Sequence, residues 1–160
     1  MFGQAPGVVE GEQRRPWRGR AGQTLRRWLG MGEEEFYATF YCASVTRCYP
    51  GRSPSGRGDR VPAPREQELC AFWRDWELRL LRPRLIVAVG GLAVRRLLGI
   101  ASLDDCVGVR FALHDAAVVP LPHPSGRNIW LNAPENRARV EHAVALVHDE
   151  LARIAAKPQS

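Results

Sequence analysis

Residues Leu85 to Leu98 read LIVAVGGLAVRRLL, and this stretch decides the fold. Five consecutive apolar residues, Leu85 to Val89, leave no polar face, which is the pattern of a strand covered on both sides. Gly90 and Gly91 end the run, and Val94, Leu97 and Leu98 then recur at helical spacing. A strand buried on both faces and followed by a tight turn and a helix is the unit of a parallel sheet. Working outward, Ala117 to Leu121 (AVVPL) is a second such run and Phe40 to Thr46 (FYCASVT) a third. Helical periods separate them: Leu25, Trp28 and Leu29, then Leu69, Phe72, Trp73, Trp76 and Leu80. A last stripe, Val140, Val144, Val147, Leu151 and Ile154, closes the chain on a helix that Asn132 can cap with Glu135 in the capping-box position. The alternation predicts a three-layer α/β/α domain around a central four-stranded parallel sheet. The first of those strands has only Met1 and Phe2 before the loop Gly3 to Gly7, whereas a strand usually holds about five or six residues. The expectation is a single domain, residues 1–160, whose start codon is placed too far downstream. Residues 50–64 (PGRSPSGRGDRVPAP), dense in Gly, Pro and Arg, read as a basic loop insertion.

The chain has 160 residues, 45% of them hydrophobic and 25% charged, which suits one packed core and excludes wholesale disorder. No run approaches the roughly 18 to 20 apolar residues of a membrane span, and the first residues lack the succession of a signal peptide. A soluble, cytoplasmic, monomeric protein is expected. Twenty-three Lys plus Arg against 17 Asp plus Glu give a net charge of +6, with Lys157 the sole lysine. Such a balance points to an anionic partner, although a GC-rich genome would also favour Arg over Lys. Cys42, Cys48, Cys70 and Cys106 are too few and scattered for a secreted disulfide scaffold, leaving buried thiols or cluster ligands. His142 and His148 lie six apart, not four, and read as solvated helix residues. Gly90-Gly91 lacks the full GxGxxG pattern, which disfavours a nucleotide-cofactor enzyme.

In an open parallel sheet, ligands bind beyond the carboxyl ends of the strands. The loop Gly3-Gln4-Ala5-Pro6-Gly7-Val8-Val9-Glu10 combines glycines that allow close backbone approach with a stiffening proline. His123-Pro124-Ser125-Gly126-Arg127-Asn128 follows the last strand and offers an imidazole, a hydroxyl and a guanidinium. These groups suit a ligand that bears phosphate.

Three ordered segments, GQAPGVVEGEQRRPWRGRAG at 3–22, VTRCYPG at 45–51 and LPHPSGRN at 121–128, resemble the uracil-DNA glycosylase superfamily, and most closely its family 4 iron-sulfur type. There the first motif has the form GEAPGxxED followed by PFVGRAG, and the last begins HPS. The resemblance implies a uracil-DNA glycosylase-like fold and an N-glycosyl hydrolase of DNA repair that flips its target base out of the helix. It implies that Gln4, with Gly3, Ala5, Pro6 and Gly7, faces the uracil edge and helps to place water. Glu10 would orient that water or stabilise the cationic sugar. Trp17, where the family has Phe, would stack on the base. His123 would donate to the leaving base as negative charge develops. Ser125 would hold a phosphate, Arg127 and Asn128 would brace the minor groove, and Arg20 would join Arg18, Arg52 and Arg57 on the DNA backbone.

The departures are informative. Ser44 stands where family 4 has a uracil-reading Asn, and a hydroxyl cannot donate and accept across a base edge as an amide does. Relaxed selectivity, toward hypoxanthine or mismatched bases, is the expectation. Gln4 replaces an acidic residue, and Gly11 replaces the Asp after Glu10. The family's 4Fe–4S cluster uses an N-terminal Cys-x-x-Cys pair plus two later cysteines, matched by Cys48 and Cys70 alone. No cofactor is expected for the 160-residue chain, and a cluster only in a longer native product. Two further readings stay open: a weakly or non-catalytic binder of uracil-containing DNA with the same fold, and an unrelated flavodoxin-like small-molecule binder.

Overall fold

The structure is a computed structural model that describes residues 1–56 and 58–156. Its elements follow in order: β1 (Phe2–Gly3), α1 (Val8–Gln13), α2 (Arg20–Trp28), α3 (Glu33–Thr39), β2 (Ala43–Ser44), α4 (Pro64–Leu81), β3 (Leu85–Val89), α5 (Gly91–Leu98), β4 (Phe111–Leu113), β5 (Ala116–Leu121) and α6 (Pro134–Ala156). The sheet runs β2-β1-β3-β5-β4. The first four strands are parallel, in agreement with the expected α/β class, and β4 adds a fifth, antiparallel one at the edge.

β3 and β5 pair over their central length, Leu85 with Ala117 through Val89 with Leu121. Every residue of β5 and all but Leu85 of β3 is buried, so both faces of the sheet are covered, as their unbroken apolar sequences require. α5 packs on β3 and β1, and α6 on β5 and β3. Val140, Ala143 and Val147 supply the buried stripe of α6.

Three local readings are corrected. The apolar run from Phe40 is not strand throughout: Phe40 is the C-cap of α3, and the ladder holds only Ala43 and Ser44. Asn132 does not cap α6, because it closes a 3-10 turn, Ile129–Asn132, and the amide of Arg137 bonds back to the carbonyl of Ala133. The third concerns α4, whose stripe Leu69, Phe72, Trp73, Trp76 and Leu80 is exposed, each residue by 46–65%. Periodicity detects an amphipathic helix, but here the inward side is set by buried polar anchors. Gln67 donates to the carbonyl of Pro62 (2.6 Å) and accepts from Arg96 (2.7 Å), while buried Glu77 accepts from the Tyr41 hydroxyl and pairs with Arg47. These contacts seat Gln67 and Glu77 on the inward side, and the aromatic side is left facing outward.

The chain leaves β1 to β2 on one side and returns to β3 on the other, so the order reverses between β1 and β3. A crevice at their carboxyl ends is the geometric consequence.

Candidate active site

That crevice is a cleft of about 1090 Å³. The turn after β1, the loop after β2, Gly90-Gly91 after β3 and His123 after β5 all line it. The amide of Thr46 bonds to the carbonyl of Gln4 (3.2 Å), and the amide of Gly90 to the carbonyl of Leu121 (2.8 Å), which locks neighbouring loops together.

Trp17 sits in the cleft because its backbone is held there. It is a non-glycine residue at φ 58°, a left-handed conformation that costs on the order of 1–3 kcal/mol unless its surroundings impose it. Arg26 imposes it by donating to the Trp17 carbonyl (2.8 Å), and Gly22 permits it, since a Cβ there would stand 1.8 Å from the same oxygen. The indole lies against Gly3 and 6.3 Å from the His123 ring, tilted by 37°. The aromatic ring and the imidazole therefore share one pocket. His123 in turn packs on Gly90, where a Cβ would come within 3.6 Å.

Burial holds the His123 imidazole below its ordinary pKa, and the Glu10 carboxylate offsets this in part. The ring is neutral at neutral pH, carrying one N–H donor and one acceptor nitrogen. Glu10 lies in the first turn of α1 and is fixed by the amide of Gly19, which donates to its Oε1 (2.9 Å). Its other oxygen points at Gly7.

Gln4, Ala5, Pro6, Gly7, Ser44, Ser125, Arg127, Asn128 and Arg20 also line the cleft, so the structure gathers them with Glu10, Trp17 and His123. Two of them are already engaged. The Ser44 hydroxyl donates to the Thr46 carbonyl (2.7 Å), two residues further on and beyond the end of β2. The Asn128 amide donates to the His123 carbonyl (3.0 Å) and accepts from the Trp130 amide (3.3 Å), so it shapes the loop that carries the imidazole. Of the arginines expected on DNA, Arg18 is tied to Glu33 and Gln13, Arg52 lies outside the cleft lining, and Arg57 lies outside the described residues. Arg14, Arg15 and Arg47 line the cleft instead, with Asp59 from the 50–64 loop. Arg14, Arg15 and Arg47 lie inside the segments 3–22 and 45–51 but were not singled out there, and Asp59 lies in the loop read as a basic insertion; folding of loops distant in sequence brings the four together.

The cysteines do not fit a four-thiolate cluster, which needs four ligands in one place. Among the described residues no three His, Cys, Asp or Glu side chains gather as a metal site. Cys48 is exposed, Cys42 and Cys70 are half-buried, and Cys106 is buried elsewhere, its thiol pushed up to about 11 by burial and by Asp105 and Asp104. No helix among the described residues is long and apolar enough to cross a membrane.

A model of the uracil DNA glycosylase superfamily matches residues 1–147. Type-4 uracil-DNA glycosylases from Thermotoga maritima (32% identity over 97 residues, 59% of this chain and 45% of that protein) and Archaeoglobus fulgidus (31% over 107 residues, 65% and 49%) are similar to it. So is that of Pyrobaculum aerophilum (31% over 101 residues, 61% and 46%). The chain spans about half the length of these curated relatives.

Proposed function

The chain belongs to the uracil DNA glycosylase superfamily, and on that premise we propose that it hydrolyses the N-glycosidic bond of deoxyuridine in DNA, starting base excision repair as a cytoplasmic monomer. The observation that carries this reading is the convergence of Trp17, His123 and Glu10 in one cleft at the point where the strand order reverses. A flipped base stacks on the indole while backbone groups of residues 3–7 face its edge. As the glycosidic bond breaks, electron density moves to the base, and a neutral imidazole donates a hydrogen bond to the oxygen that gains it. Glu10, held by the Gly19 amide, faces the sugar side, where a carboxylate both stabilises an oxocarbenium-like ion and accepts a proton from water. Arg20 and Arg127 flank the opening and suit phosphates. Cys48 and Cys70 would hold a cluster only with two further thiolates, and visible absorbance of the purified chain tests this.

Duplex and single-stranded oligonucleotides carrying one uracil, hypoxanthine or thymine are the test. The expected result is alkali-sensitive sites at uracil and none at thymine. Salt-sensitive binding to uracil-containing DNA without base release would favour the non-catalytic reading instead. Ser44→Asn is expected to raise the ratio of uracil to hypoxanthine release roughly tenfold or more, because an amide can pair with both a donor and an acceptor of the uracil edge. Competition assays on mixed oligonucleotides measure that ratio, and an unchanged value removes Ser44 from base selection.

A further inference from the structure

We propose that Asp59, carried by the 50–64 loop, is a second catalytic carboxylate that holds the attacking water together with Glu10. This inference rests on the base-release reading above.

The loop is folded. The Ser53 amide bonds to the Gly58 carbonyl (2.8 Å), the Arg60 amide bonds to the Gly51 carbonyl (3.0 Å), and Arg52 bridges Asp59 in antiparallel fashion. Gly58 and Asp59, on the returning limb of this hairpin, line the cleft. A Cβ on Gly58 would stand 2.5 Å from the Arg127 guanidinium, and Asp59 Oδ2 lies 3.3 Å from where a Cβ on Gly7 would stand.

The two carboxylates meet over Gly7. A Cβ on that residue would lie 2.6 Å from Glu10 Oε2 and 3.3 Å from Asp59 Oδ2, which places these oxygens within about 6 Å of each other. Each group is anchored through its other oxygen. Glu10 Oε1 accepts from the Gly19 amide (2.9 Å), and Asp59 Oδ1 accepts from the Tyr49 hydroxyl (2.9 Å). Among the described residues no hydrogen bond engages the other two oxygens, and both approach the position above Gly7 in the cleft that His123 also lines. One water donating to both at ordinary lengths of about 2.8 Å bridges oxygens about 4.5 Å apart, a spacing inside that limit, and its lone pairs are then left pointing away from both carboxylates. Such a water is oriented before substrate arrives. The absence of any side chain on Gly7 is what leaves room for it: a methyl group there would occupy the approach to Glu10 Oε2.

The reaction balances with these groups alone. The bond between C1′ of the sugar and N1 of uracil breaks, and its electron pair leaves with the base. The water oxygen forms the new bond to C1′, and one water proton passes to the carboxylate pair and then to the uracil anion. The products are free uracil and an abasic deoxyribose. A pair of carboxylates serving one glycosidic bond is a general solution to this chemistry.

The test compares the wild-type chain with Asp59→Asn, Asp59→Ala and Glu10→Gln on a uracil oligonucleotide under single-turnover conditions. Asp59→Asn is expected to lower the rate of base release by about 10²-fold or more while DNA affinity stays within about twofold. Asp59→Ala is expected to regain rate when sodium formate is added, because formate returns a carboxylate to the gap. A residue that merely shapes the hairpin would show no such rescue. A wild-type rate in Asp59→Asn, or a loss in Asp59→Ala that formate leaves unchanged, overturns the role of Asp59. An inactive wild-type chain overturns the base-release reading itself, a distinguishable outcome.

Discussion

Replacing His123 with alanine is expected to slow uracil release by about 10²–10³-fold, equivalent to about 3 kcal/mol of lost transition-state stabilisation, with DNA affinity nearly unchanged. The argument starts from location. The imidazole follows the last parallel strand, packs on Gly90 and shares a pocket with Trp17, and under the proposed base release its N–H serves the oxygen of the leaving base that gains charge. In a site shielded from water such a donor acts at full strength and need not reorganise. Single-turnover release from a uracil oligonucleotide, with a binding isotherm alongside, separates this from a loss of affinity. The same burial leaves a signature in stability. Because the native pKa of His123 lies below the ordinary 6.5, the unfolded chain binds more protons as the solution is acidified. The histidine costs the fold nothing above 6.5 and reduces stability as pH falls from there through the native value. His123→Ala is therefore expected to lose less stability than the wild type between about pH 8 and about pH 5 in denaturant titrations.

Gly22→Ala is expected to destabilise the fold by about 3 kcal/mol, lowering Tm by roughly 10 °C. A Cβ at this position would stand 1.8 Å from the Trp17 carbonyl oxygen and 2.9 Å from its Cα, both backbone atoms that cannot swing aside. Relief requires moving Trp17 out of its left-handed conformation, which breaks the bond from Arg26 and withdraws the indole from Gly3 and His123. Stability and uracil release should fall together. Gly11→Ala is the control: it lies in α1 with nothing within 4 Å of the added carbon, and is expected to stabilise by up to about 1 kcal/mol. Thermal melts of the two variants give the comparison, and equal Tm values would refute the role of Gly22.

The parts of the fold legible in the sequence are those in which local pattern and global burial coincide. Leu85 to Val89 and Ala117 to Leu121 are continuous apolar runs because they occupy the sheet centre, and both are strands. β4 escaped reading because three residues with a half-buried pattern carry too little signal at a sheet edge. α4 shows the converse: its period was readable, yet which side faces the core depends on Gln67, Glu77 and partners from other segments. The site divides in the same way. Glu10, Trp17 and His123 stood out through their motifs, and one cleft unites them. Asp59 did not, since a Gly- and Arg-rich loop looks like solvated surface until its hairpin bonds turn the carboxylate toward Gly7. Ser44 was read as a base-selecting position and Asn128 as a brace for the minor groove, and the structure commits the donors of both to neighbouring carbonyls.

The central claim, that the cleft between β1 and β3 releases a base, is tested most directly by following free uracil from an oligonucleotide labelled in that base, with Glu10→Gln and wild-type chains side by side. Release by the wild type, loss of about 10² or more in Glu10→Gln, and intact binding in both are the predicted results. Tight binding of the uracil oligonucleotide by the wild type with no free uracil would contradict it.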